Sequence, residues 1–138
     1  MAIATALADL VPEKNLISKP GTWSRNLHYQ WATFAINEMD PYLHSSEINT
    51  VDFILPKNQH VPAIIEQNTM MPKRAVAVPE AALRETDYLV DGCFSATDII
   101  VGYTISWCQE QRLLDGCSNL IAYLERLPAR PHCTLTRH

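Results

Sequence analysis

The stretch Phe94-Ser95-Ala96-Thr97-Asp98-Ile99-Ile100-Val101 holds both a helix start and the beginning of a core. Ser95 followed three residues later by Asp98 is a capping box of the Ser-x-x-Asp kind. The serine hydroxyl accepts from the free amide of Asp98, and the Asp98 carboxylate reaches back to the Ser95 amide. That carboxylate also favours the positive end of the helix. Phe94 before the cap packs on Ile99 as a hydrophobic staple. The helix it opens, Ala96 to about Gln109, reads as apolar nearly all round through Ile99, Ile100, Val101, Tyr103, Ile105 and Trp107. Such a helix belongs in the middle of a bundle. Its cap is then expected inside the protein, where an unsatisfied amide is expensive.

On the C-terminal side, Asp115-Gly116 marks a turn, and Leu120, Tyr123, Leu124 and Leu127 make one stripe of a short helix over Asn119 to Leu127. Pro128 and Pro131 then break regular structure, and the tail to His138 reads as frayed. On the N-terminal side, Ile64, Ile65, Met70, Val76, Val78, Ala82 and Leu83 give a helical region over Ala63 to Thr86. Pro72 and Pro79 fall inside it, and each costs about 3 kcal/mol in a regular helix interior. Two or more shorter pieces are expected, with Pro72 at the first position of a new one. Pro56-Lys57-Asn58 reads as a turn in the loose stretch from Val51 to Pro62. Before it, Thr22 caps a helix whose apolar stripe is Leu27, Trp31, Phe34, Ala35 and Met39, and Pro41 kinks or ends it. The Ala- and Leu-rich first ten residues are good helix formers, stopped by Pro12. No strand pattern persists, so the expected fold is an all-α helical bundle.

Composition bounds the function. The 138 residues suffice for one core without a metal or disulfide staple. A formal charge of −4 argues against a nucleic-acid surface, which would be basic. The longest apolar run, Ile99 to Cys108, is interrupted by Gly102, Thr104 and Ser106, which suits a core helix and not a membrane span. The N-terminal run has no Lys or Arg before it, unlike a signal peptide. Cys93, Cys108, Cys117 and Cys133 form no CxxC pair and read as reduced thiols. The histidines show no metal-ligand spacing, so no metal site is expected, and a cytoplasmic location follows as a preference.

Taken together, Tyr88-Leu89-Val90-Asp91-Gly92 and Phe94-Ser95-Ala96-Thr97-Asp98-Ile99 resemble the capped central helix of the glutathione transferase C-terminal domain. Asn119 to Leu127 with Ala129-Arg130-Pro131 is similar to that domain's closing helix and tail. Trp31, Phe34 and Glu38-Met39-Asp40-Pro41 are similar to its long first helix. Ala2 to Leu10, then Pro12-Glu13 and Asn15-Leu16, resembles the last helix of the family's thioredoxin-like domain and its linker. The resemblance therefore divides the chain into residues 1–19, a remnant of that last helix and linker, and residues 20–138, the helical domain. The two prolines depart from the family's long continuous helix, and Thr97 stands where a small apolar residue is common.

The resemblance implies that the family's glutathione-holding acidic residue and serine, its catalytic Tyr, Ser or Cys, and its cis-proline would all lie upstream of Met1. No catalytic residue is assigned, and no cofactor is expected unless a thioredoxin-like half supplies the glutathione site. Trp31, Phe34, Tyr103 and Trp107 are candidates for the wall of an apolar substrate pocket, against the plainer reading of core packing. Ser95 and Asp98 are assigned to the structural cap, and His28 beside Tyr29 reads as a solvated histidine on a helix surface. The expected function is a transferase-like helical module unable to bind and activate glutathione alone, dependent on a protein partner or on self-association as a dimer through its first and second helical regions, Thr22 to Pro41 and Ala63 to Thr86. The alternatives are a glutathione transferase acting on hydrophobic electrophiles, and a scaffold domain.

Overall fold

The computed structural model describes residues 1–131 and 133, and the regular elements within them are all helical. The helices are α1 (Ala2–Asp9), α2 (Trp23–Glu38), α3 (Asp40–Ile48), α4 (Ile65–Ala75), α5 (Ala77–Ala82), α6 (Ala96–Glu110) and α7 (Ser118–Arg126), joined by loops and short 3-10 turns. The expected frayed tail lies outside the described residues beyond Cys133.

Helix α6 crosses the middle, packing on α2, α3 and α7, while α4 lies along α3 and α5 along α7. Val101, Ile105 and Cys108 from α6 meet Ala35 and Met39 of α2, Leu43 of α3, and Leu120, Tyr123 and Leu124 of α7 in one apolar cluster. Gly102 permits the closest approach on α6, since an added Cβ there would collide with the Leu127 side chain.

Pro41 works as expected. It sits in the first turn of α3, where its missing amide costs nothing, and the chain breaks at Met39. The second helical region divides at Val76 into α4 and α5, but Pro72 does not begin a helix. It lies inside α4, with its ring buried alongside Asn68. Pro79 is buried too, but it sits in the first turn of α5, where a missing amide costs little. The amides of Val76, Glu80 and Leu83 still donate to the carbonyls of Pro72, Val76 and Pro79 at 2.9–3.0 Å, so bonding continues across the break. The Pro72 ring is fully buried and gives back in burial part of what its lost bond costs.

Two amphipathic readings need rotation. On α2 the buried face is Arg25, His28, Ala32 and Ala35, while Leu27, Trp31 and Phe34 flank it, half-buried. On α6, Ile99 is 53% exposed and Tyr103 59%, so the helix is open along one side and not enclosed all round.

Candidate functional site

The head of α6 is a closed polar knot. The Asp98 carboxylate accepts from the Ser95 amide at 2.8 Å, the Ser95 hydroxyl at 3.0 Å, the Leu89 amide at 3.3 Å and the Tyr123 hydroxyl at 3.1 Å. The Ser95 hydroxyl accepts from the Thr97 amide at 3.2 Å, and the reciprocal box with Asp98 is complete. Asp98 and Tyr123 are both fully buried. Burial pushes the Asp98 carboxyl above the usual carboxylate range, and the converging donors pull it back. Burial and the neighbouring Asp98 hold the Tyr123 hydroxyl well above its ordinary range, so it acts as a donor. The segment after α1 closes the knot from outside, because the Ala96 amide donates to the Leu16 carbonyl at 2.7 Å. Every group here is spent on structure.

The first helix is tied down by polar contacts. Buried Arg25 pairs with Asp9 of α1, and it donates to the Ser18 carbonyl at 2.7 Å and to the Tyr29 hydroxyl at 3.0 Å. His28, expected at the surface, is 1% exposed and lies between Thr5 of α1 and Thr97 of α6, 2.9 Å from each hydroxyl. The spacing Arg25, His28, Ala32, Ala35, Met39 was the available signal. It is a regular helical face, and only its two polar members hid it.

Below the knot opens a cavity of about 710 Å³. Its wall is formed by Met1 and Leu16 of the first segment, Ile36 and Asp40 at the α2–α3 break, Ile99 and Tyr103 on the open side of α6, and Leu127, Arg130 and Cys133 of the tail. The lining is mainly apolar, as small-molecule sites are. Its polar groups are mostly engaged. Asp40 accepts from the Thr104 hydroxyl at 2.7 Å, and the Arg130 guanidinium stacks 3.6 Å above the Phe94 ring. Of the four aromatic pocket candidates, Tyr103 lines this cavity. Trp31 and Phe34 meet edge-on, with ring centroids 6.1 Å apart, and pack half-buried on the core away from it. Trp107 packs beside Tyr103 and His44, at 6.3 Å from each ring. The cavity therefore gathers one of the four, and its aliphatic wall was not foreseen because it joins segments far apart in the chain.

Among the described residues no group of His, Cys, Asp or Glu has the arrangement to hold a metal ion. No described helix is long and apolar enough to cross a membrane.

No protein-family model matches the chain, and no curated protein matches it. Solved structures do. A glutathione transferase from Methylococcus capsulatus str. Bath superposes with a TM-score of 0.76 at 26% identity, over 94% of this chain and 61% of its own. One from Phanerochaete chrysosporium, solved with oxidized glutathione, gives 0.76 at 24% identity over 94% and 60%. A theta class glutathione S-transferase from Xanthomonas axonopodis pv. citri gives 0.71 at 22% identity over 94% and 68%. The chain thus spans about 60% of the length of the first two. Its all-helical fold is that of the C-terminal domain of the glutathione transferases.

Proposed function

We propose that this domain is a glutathione transferase-like helical module that works against a protein partner and does not bind or activate glutathione by itself. The observation that carries the proposal is the outer side of α1. Ile3, Leu7 and Leu10 recur at helical spacing there and are 78%, 59% and 77% exposed. A helix turning its large apolar residues outward and Thr5 with the small Ala8 inward is arranged for a second surface. Residues 1–19 then serve as the docking element, residues 20–138 as the helical body, and the partner is a thioredoxin-like unit or a second copy of the chain. A cytoplasmic location fits this reading. The direct test is calorimetric titration of the protein with reduced glutathione up to millimolar, beside sedimentation at micromolar concentrations. The expected result is no heat of binding, together with self-association where the partner is a second copy. Saturable glutathione binding by a strictly monomeric species would overturn the proposal.

A second reading is favoured by the mainly apolar cavity beside Tyr103. Given a thioredoxin-like half to hold glutathione, the domain would supply the wall for a hydrophobic electrophile, and the thiolate would add to the electrophilic centre. Conjugating activity that appears only when that half is added would support this reading. Activity equal to that of the added half alone would count against it.

A further inference from the structure

Buried His28 on α2 bridges two other helices through its two ring nitrogens. Nε2 lies 2.9 Å from the Thr5 hydroxyl on α1, and Nδ1 lies 2.9 Å from the Thr97 hydroxyl near the start of α6. A neutral imidazole donates from one nitrogen and accepts at the other, and the hydroxyls decide which. The Thr5 hydroxyl has a second partner, the Met1 carbonyl at 3.2 Å, which can only accept. Thr5 therefore gives its hydrogen to Met1 and accepts from Nε2–H. Among the described residues the Thr97 hydroxyl meets only the His28 ring. Thr97 is fully buried, so it gives its hydrogen to Nδ1.

We propose that His28 is an acid-sensitive latch: as the neutral Nε2–H tautomer it carries a one-way relay from Thr97 through His28 and Thr5 to the Met1 carbonyl, and protonation at Nδ1 breaks that relay and releases α1. A second ring hydrogen would point at a hydroxyl already pointing its own hydrogen back. Thr97 would then have to turn its hydrogen away from the ring, its one hydrogen-bond partner among the described residues, which is a costly arrangement at a buried hydroxyl. The charge finds little relief. From α2 the ring faces Arg25, and from α1 it faces Asp9 and the amino group of Met1. Asp9 is already paired with Arg25. From α6 the ring meets the uncharged Thr97, while the Asp98 carboxylate is held in the cap by Ser95, Leu89 and Tyr123. Burial first and Arg25 second hold the imidazole below its ordinary 6.5, so the buried ring favours the neutral form that the relay needs.

The element that yields is α1. It buries only Thr5 and Ala8, and its other anchor, the Asp9–Arg25 pair, is open to solvent on the Asp9 side. Because the folded state holds the proton less tightly than the unfolded one, the latch is fully closed above about pH 6.5 and weakens as pH falls below it.

Nitrogen-15 NMR of the labelled chain reads the ring directly, and amide hydrogen exchange over pH 7.5 to 5.5 reads the helix. The expected result is an Nε2–H tautomer at pH 7. Opening of α1 should then rise by up to about tenfold per pH unit below 6.5, once intrinsic exchange is removed. In His28→Gln, whose amide both donates and accepts but does not titrate, α1 opening should lose this pH dependence. An Nδ1–H tautomer, α1 protection unchanged across the range, or the same acid loss in His28→Gln would each overturn the latch. Should that variant not fold, the tautomer and the exchange of the unaltered chain still decide.

Discussion

Asp98 shows how much one side chain organises here. Removing it leaves two buried amides and the Ser95 hydroxyl without their acceptor, and takes from the Tyr123 hydroxyl the nearer of its two acceptors, leaving the Asp98 carbonyl at 3.4 Å. Each orphaned buried group costs about 1–3 kcal/mol, so Asp98→Ala should lower stability by about 4 kcal/mol. Ser95→Ala removes one cap acceptor and should cost about 1 kcal/mol. Urea unfolding checks both, and equal effects would mean that the cap does not depend on the carboxylate. The cysteines divide on the same ground. Cys108 is fully buried, and burial pushes its thiol to about 12, whereas Cys93 is exposed. Since the thiolate is the reactive form, iodoacetamide at pH 8 should alkylate Cys93 in the folded protein and reach Cys108 only after unfolding. Peptide mass mapping reads the order, and early labelling of Cys108 would contradict the burial described.

Helix α7 has no side-chain cap of its own and borrows one from α5. The Glu80 carboxylate accepts from the amides of Asn119 at 3.1 Å and Leu120 at 2.9 Å, and the Glu80 carbonyl accepts from the Asn119 side chain at 3.1 Å. A carboxylate on the positive end of a helix does the work of a local cap. Glu80→Ala should therefore cost about 1–2 kcal/mol and speed amide exchange at Asn119 and Leu120 before other parts of the molecule. A uniform loss of protection would show that α5 and α7 are not coupled through this contact.

Across the whole molecule, the polar seam under α1 and the apolar stripe on its outside separate two properties that are usually mixed. Ile3→Glu with Leu7→Glu alters only exposed positions, so the unfolding free energy should move by no more than about 1 kcal/mol. The same pair should abolish self-association if this face is the interface, as sedimentation would show. Unchanged association would place the contact elsewhere. The pH dependence has a definite sign. His28 binds a proton less readily when folded, so its contribution to stability is complete above about pH 6.5 and is lost as the solution becomes more acid.

By itself the sequence determined the all-helical class, the capped central helix and the break at Pro41. Each of these depends on residues within a few positions of one another: Ser95 with Asp98, a 3.6-residue period, a missing amide. It also carried the resemblance to the transferase domain, because that rests on motif order along the chain. Only the tertiary structure decided which way α2 faces. Arg25 and His28 are buried because Asp9, Thr5 and Thr97, from two other helices, satisfy them, and no local pattern announces a polar residue's distant partner. The open side of α6 was hidden for the converse reason, since Ile99 and Tyr103 look like core residues until the neighbours that fail to cover them are known. Pro72 inside α4 belongs with these, its lost hydrogen bond being offset by burial against a core that the chain assembles only when folded.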